Sequence, residues 1–288
     1  DDDPCARRHR QTPGAALAPR PEHCHTAHLR PRRAATLRGV ADSEFLSAEW
    51  RDLVMLSYAV DPALVAPHVP PGTELDTWQG TTYVSLVGFM FLRTRVFGCT
   101  IPWHRDFEEL NLRFYVRRPG RADEPHVGPD GFKRGVAFLK EIVPRAAVAF
   151  VARKLYGERY EAWPMRNRRT PPTADAPGEI AYGVRFARAW HELGLRYRGE
   201  PAPLVPGSEA EFIAEHYWGY VAGPGRPTLE YRVEHPPWRV WPGEAPRLEL
   251  DVAGLYGPEF AAALAGPPRS AFLAEGSAVA VHRGRPLA

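Results

Sequence analysis

The chain has 288 residues, 44% hydrophobic, 25% charged and 11% aromatic, enough for a real globular core. Its 31 prolines exclude an architecture of long helices, because each interior proline removes a helix hydrogen bond. The formal net charge is +3, all of it in residues 1–42. The balanced remainder disfavours nucleic-acid binding, and the longest apolar run, Ala146 to Ala152, is far below the ~18 residues of a bilayer span, so no membrane partner is expected.

Residues 1–42 hold none of the aromatic residues and two of the three cysteines. Such a stretch buries too little apolar surface to offset chain entropy, so it reads as a disordered Arg/Pro-rich tail. An alternative start lies near Val40, which an N-terminal mass measurement decides. The cluster His23-Cys24-His25-x-x-His28 lacks a second ordered ligand pair, so no metal site is expected there. Cys99 alone lies in the body, which rules out a disulfide framework within it and suits a reducing cytoplasm.

Residues 43–288 read as one domain. Trp50 to Val60 has the β-branched and aromatic content of a strand. Asp61 caps a short helix running to about His68, with Pro62 at its first position. Glu74 to Trp78, a Gln79-Gly80 turn and Thr81 to Val96 form a hairpin whose second arm is apolar enough to be covered on both faces. Phe107 to Arg117 alternates with period two. Leu110, Leu112, Phe114 and Val116 share one face, and Glu109, Asn111, Arg113 and Tyr115 the other. Gly135 to Val143 is a strand placing Val136, Phe138, Lys140 and Ile142 together. Pro144 to Tyr156 is the clearest helix, with an apolar stripe through Val148, Val151, Ala152 and Leu155.

Residues 164–178 read as a Pro- and Arg-rich loop. Ile180 to Trp190 and Leu193 to Arg198 form a second hairpin. Ser208 and Glu211 make a capping box for a helix to Tyr217. Leu229 to His235, Val240-Trp241 and Arg247 to Leu255 are strands, Pro258 to Leu264 a short helix, and Ala271 to His282 the last strand or two. Short turns join most strands, so the sheet should be largely antiparallel.

The phrases WRDLVMLSYAVDPALVAPHVPPGTELDTWQGTTYVSLVGF, FEELNLRFYV, RGVAFLKEIVPRAAVAFVARKLYGERYEAWPM, EFIAEHYWGY, VEHPPW and AFLAEGSAVAV resemble the YqjF-like bacterial family, a domain of unknown function. That family belongs to the acetoacetate decarboxylase-like superfamily. The resemblance implies an α+β, mainly antiparallel β fold: a curved barrel or cone around a central cavity, with a few short helices. The superfamily's decarboxylases carry a G-R-E-I-W-G-F-P-K-K-like motif whose first lysine forms a Schiff base. The similar phrase runs from Ala152 to Glu161. It matches at Arg153 and Gly157, but Tyr160 and Glu161 hold the lysine positions. A phenol and a carboxylate cannot form an imine with a ketone. The decarboxylase glutamate maps to Glu109, with Glu108 as the alternative.

Lys140 is a second catalytic candidate, since a desolvated lysine becomes nucleophilic; the competing reading points it to solvent or into an ion pair. In a barrel with a polar cavity, Glu109, Asn111, Arg113 and Tyr115 would offer an acid/base, an amide and a carboxylate-binding guanidinium; on an open sheet they would be the wet face. Arg153, Tyr160, His216 and Trp218 complete the ligand-binding candidates, and His235 and Trp238 suit the same pocket. No nucleophile elbow, phosphate loop, dinucleotide fingerprint or zinc-protease helix occurs, so no cofactor or metal is expected. The favoured expectation is a cytoplasmic barrel binding a small anionic organic molecule without Schiff-base chemistry. The alternatives are a lyase or decarboxylase-like enzyme using Glu109 with Arg113 or Arg153 as anion clamp, and a non-catalytic interaction domain. The oligomeric state stays open, a homo-oligomer included.

Overall fold

The computed structural model describes residues 43–155, 157–223 and 225–287. The Arg/Pro-rich tail, its His/Cys cluster and the start expected near Val40 belong to residues 1–42 and lie outside the described residues. Seven strands close on themselves: β1 (Glu44–Val60), β2 (Thr82–Val96), β3 (Phe107–Pro119), β4 (Phe132–Val143), β5 (Trp218–Val221), β6 (Leu229–Glu234) and β7 (Ser270–His282). The ring runs β7-β1-β2-β3-β4-β5-β6 and shuts where Val233 of β6 pairs with Val281 of β7. Neighbours are antiparallel except β4 and β5, paired in parallel at Gly135 and Val136. Closure hides the strand edges that an open sheet would expose.

Why β1 and β2 carry long apolar stretches is now clear: each has two covered faces. Outward residues such as Val54, Leu56, Leu86, Leu112 and Phe114 join one core cluster. A second, four-stranded antiparallel sheet packs there, made of Met165–Thr170, Gly178–Phe186, Ala189–Tyr197 and Glu244–Glu249. Helices Val252–Tyr256 and Pro258–Ala263 add Leu255 and Phe260 to the same layer. Inward residues such as Met55, Val87, Phe89 and Phe107 form a separate cluster inside the barrel. Helix α1 (Ala146–Leu155) packs against that inner cluster through Val148 and Ala152.

Local signals placed the caps well. Asp61 Oδ1 accepts from the Ala63 N–H at 2.8 Å, and Ser208 Oγ accepts from the Glu211 N–H at 3.2 Å at the start of α2 (Glu209–Ala214). Several expectations are corrected. Glu74–Leu75 pairs with Val116 and Arg117 of β3, so the hairpin about Gln79-Gly80 is reduced to a Trp78–Thr81 bridge. The loop expected over 164–178 contains the strand Met165–Thr170, exposed and too polar to show alternation. The hairpin expected to turn near residues 191 and 192 turns at Ala187 and Arg188, both left-handed. The helix expected to reach Tyr217 ends at Ala214, and Trp218–Val221 becomes a barrel strand. The far end of the strand expected over Arg247 to Leu255 is the helix Val252–Tyr256, capped by Asp251.

At one end of β4 lies a buried ion cluster that sequence reading passed over. Lys133, fully buried, donates to Glu230 at 2.7 Å, and Arg118 and Arg285 bond the same carboxylate at 2.5 and 3.0 Å. The Lys133 ammonium also lies 3.3 Å from the centre of the Trp218 ring. The cluster ties β3, β4, β6 and the C-terminal segment together.

Candidate functional site

The barrel is hollow. Its cavity has a volume of about 180 Å³ and is walled mostly by carbon, with Glu109, Asn111, Arg113, Glu141, Glu158 and His216 among its polar lining. Strand alternation brings Glu109, Asn111 and Arg113 of β3 inward, where all three are buried and line the cavity. Tyr115 continues the row inward, among the inner cluster, but its hydroxyl is spent on Ser85 Oγ at 2.6 Å and it does not reach the cavity wall.

Glu109 is the hub. Asn111 Nδ2 donates to its Oε1 at 3.0 Å, and the Tyr160 hydroxyl donates to its Oε2 at 3.0 Å. Tyr160 thus fills the position that the motif resemblance gives to a lysine and points into the cavity, whereas Glu161 bonds Lys140 at 2.8 Å. Two further carboxyls, missed in the sequence, complete the acidic side: Glu141 of β4, and Glu158, which accepts from the Tyr231 hydroxyl at 2.6 Å.

A bulge explains why Glu141, and not Lys140, is inside. Leu112 pairs with Lys140 but Arg113 pairs with Phe138, so Leu139 is an extra residue in β4. Strict alternation from Val136 and Phe138 would bring Lys140 inward. The extra residue flips the phase, sending Glu141 into the cavity and Lys140 out. No local signal in VAFLKEIV marks that bulge.

Burial sets the ionisation of the group. It pushes the Glu109 carboxyl up to about 7, against the pull of its Asn111 and Tyr160 hydrogen bonds. It pushes Glu158 up to about 7 as well. Glu141 is raised well above the carboxylate range by burial, and then by the charges of Glu158 and Glu109. The Tyr160 hydroxyl is raised by burial and by those carboxyls. Near neutrality this side of the cavity therefore holds protons that ordinary carboxylates would have lost.

Arg113 is the cation on the wall. Its Nη2 donates to the Ile213 carbonyl of α2 at 3.1 Å, while its Nε is buried without a partner. Burial, and then the Arg113 and Arg134 charges, hold the His216 imidazole well below its usual pKa, so the ring is neutral. It packs at a tilt of 34° against the Tyr115 ring, with centroids 4.8 Å apart. Asn111 Oδ1, Glu141 Oε2 and both His216 ring nitrogens are likewise buried without a hydrogen-bond partner. Buried polar atoms are nearly always satisfied, so these atoms are the cavity's open hydrogen-bonding positions. Trp218 lines the cavity too, as do His235 and Trp238, whose rings stack at 4.3 Å.

Besides Tyr115, two sequence candidates stand apart from the cavity lining. Lys140 is outside in its ion pair, and Arg153 is exposed on α1, donating to the Tyr160 carbonyl at 3.0 Å. Among the described residues no three His, Cys, Asp or Glu side chains are placed to hold a metal ion, and no helix is long and apolar enough to cross a membrane.

The family called domain of unknown function 2071, described as an uncharacterized conserved protein, matches residues 47–278. The chain belongs to this family. The uncharacterized protein YqjF of Bacillus subtilis (strain 168) is 37% identical over 210 residues, spanning 72% of this chain and 80% of that protein. Solved structures share the fold at low identity. The acetoacetate decarboxylase of Legionella pneumophila superposes with a TM-score of 0.59 at 12% identity, over 90% of this chain and 93% of that one. The enduracididine biosynthesis enzyme MppR, complexed with pyruvate, gives 0.58 at 14% identity, over 88% and 95%. An acetoacetate decarboxylase-like enzyme from Sphingomonas wittichii RW1 gives 0.55 at 13% identity, over 91% and 100%. The expected superfamily fold is thus the observed one.

Proposed function

We propose that the barrel binds a small amphipathic organic acid, its carboxylate against Arg113 and its carbon body against the aromatic wall. The observation that carries this is that Arg113 Nε, Asn111 Oδ1 and the His216 nitrogens are buried and unpartnered on residues lining a mostly apolar cavity. An apolar cavity of ~150 Å³ accepts benzene, with its six non-hydrogen atoms, so about 180 Å³ suits a ligand of roughly seven. Raised carboxyl pKa values make the acidic side compatible with an anion: a protonated Glu109 or Glu141 donates a hydrogen bond where an ionised one would repel. Anion binding therefore strengthens as pH falls from 8 to 6. No Schiff base is involved, because Tyr160 replaces the lysine and Lys140 lies outside.

The MppR complex with pyruvate supports a keto acid as the first ligand class to try. Thermal-shift titration at pH 6 and pH 8 tests the reading. A keto acid or related carboxylate at about 100 times its Kd stabilises by about 2.7 kcal/mol, with the larger shift at pH 6 and none in Arg113→Gln. Equal shifts in wild type and Arg113→Gln, or binding that strengthens towards pH 8, would refute it.

A second reading, proton transfer beside the carbonyl of such a ligand, is favoured by one observation. Glu109 has a pKa of about 7, which suits a general acid or base at neutral pH. Proton NMR in D₂O tests it: exchange at the carbon next to the ligand carbonyl is expected with wild type and lost in Glu109→Gln. The inward stripe weighs against a purely interaction role.

A further inference from the structure

Around the cavity mouth the molecule leaves large apolar side chains in water. Trp103 is 86% exposed, Phe150 55%, Phe97 51% and Ile101 42%. Phe97, Ile101 and Trp103 lie in residues 97–106 after β2, where the short strand Cys99–Thr100 pairs back on Arg95 and Val96, and Phe150 is on α1, outside the cavity lining. These segments adjoin. Ile101 and His104 line the same cavity as Val148 and Val151, and Val151 packs with Phe45 and Val96 in one cluster. The Phe97 ring also packs edge-on to Phe45 at 5.0 Å.

Phe97 and Trp103 have φ of 50° and 60°. Phe97 and Gly98 are the two-residue turn between paired Val96 and Cys99, where left-handed backbone at both positions is the favoured hairpin geometry.

Cations ring these tips. Arg95, Arg105, Arg145, Arg153, Lys154 and Arg283 are exposed. The Arg283 guanidinium lies 4.8 Å from the Phe97 ring centre and the Lys154 ammonium 5.9 Å from that of Phe150. Arg105 is anchored beside Thr94, whose N–H donates to its carbonyl at 3.0 Å. Arg93 is paired with Glu49 at 2.6 Å. Over residues 93–106 and 145–154 the one acid is Asp106, which accepts from the Arg93 N–H at 2.7 Å. Glu44 on β1 is a further exposed acid beside the rim. The local excess is strongly positive, although residues 43–288 as a whole are balanced.

We propose that this rim docks on an anionic lipid surface, with Trp103, Phe97, Ile101 and Phe150 entering the headgroup layer and the surrounding arginines meeting acidic lipid. Aromatic tips within a cationic collar fit that boundary, whose outer part is charged and whose inner part is apolar. Docking turns the cavity mouth to the bilayer, where amphipathic small molecules concentrate. The sequence led us to expect no membrane partner because no segment can span; peripheral docking needs no span. The proposal does not depend on what the cavity binds.

Co-sedimentation of the full chain with vesicles of 30 mol% phosphatidylglycerol in phosphatidylcholine, and with phosphatidylcholine alone, tests it. Binding to the anionic vesicles is expected, weakening as salt rises. It should fall about tenfold or more in Trp103→Ala/Phe150→Ala and in Arg95→Gln/Arg105→Gln. Tryptophan fluorescence should shift to the blue on binding in wild type, and less in Trp103→Ala. Trp103 is nearly all exposed and outside the cavity lining, so Trp103→Ala should keep the wild-type melting temperature and any carboxylate-induced shift. That separates failure of docking from failure of cavity binding. No anionic-vesicle binding, or equal binding by wild type and both double variants, overturns the proposal. So does concentration-dependent self-association lost in Trp103→Ala without vesicle binding, which would make the patch a face between copies.

Discussion

Replacing Glu109 by glutamine is the most informative single change. Glutamine is a neutral isostere of the protonated carboxyl. Its carbonyl can still accept from Tyr160, and an Asn111 amide flip lets the unpartnered Oδ1 accept from the new N–H. The geometry survives and the titration disappears. In the wild type, burial raises the carboxyl from 4.5 to about 7, so between those pH values the native state holds a proton that the unfolded chain has released. Stability therefore falls as pH rises through that window and stays lower above it. At about 1.4 kcal/mol per tenfold change in proton affinity, the loss is on the order of 3 kcal/mol. Removing the Glu109 charge also relieves Glu141, which it helps to raise. The variant should match wild type near pH 5 and exceed it at pH 8 by about 3 kcal/mol, or about 6–12 °C in Tm at 2–4 °C per kcal/mol. Urea unfolding from pH 5 to 8 measures it. His216 titrates in both proteins and drops out of the difference. Parallel stability–pH curves for the two proteins would show that Glu109 is not the buried, proton-holding group described here.

Other changes probe the frame. Glu230→Gln removes the nearer counter-ion of buried Lys133, leaving Glu124 at 3.5 Å, and should cost about 3 kcal/mol in urea denaturation. Gly219→Ala puts a Cβ 2.1 Å from the Tyr231 ring, so the ring must move off Glu158; a loss of about 1–3 kcal/mol is expected. Lys140→Ala removes a partly exposed ion pair with Glu161 and should change stability by less than about 1 kcal/mol. It should leave any carboxylate-induced thermal shift intact, and borohydride trapping with keto acids should leave Lys140 unmodified.

What the sequence determined by itself was whatever rests on neighbours along the chain. The period of β3 divided Glu109, Asn111 and Arg113 from Leu110, Leu112 and Phe114, and pairing left that division unchanged. The Asp61 and Ser208 caps are likewise local hydrogen bonds, read correctly from a few residues. Motif resemblance carried the barrel and the exchange of lysine for Tyr160. Tertiary structure decided the rest. An unsignalled bulge at Leu139 exchanged Lys140 for Glu141 in the cavity, because one extra residue inverts every side chain beyond it. Glu158, on a loop beyond a helix, was brought to the cavity by long-range packing and its Tyr231 bond. Trp218–Val221 became a strand because β4 and β6 offered it partners, and the polar strand Met165–Thr170 because Gly178–Phe186 did. The raised carboxyls and the bare aromatic rim belong to this second kind, since burial is a property of the assembled fold and no residue carries it alone.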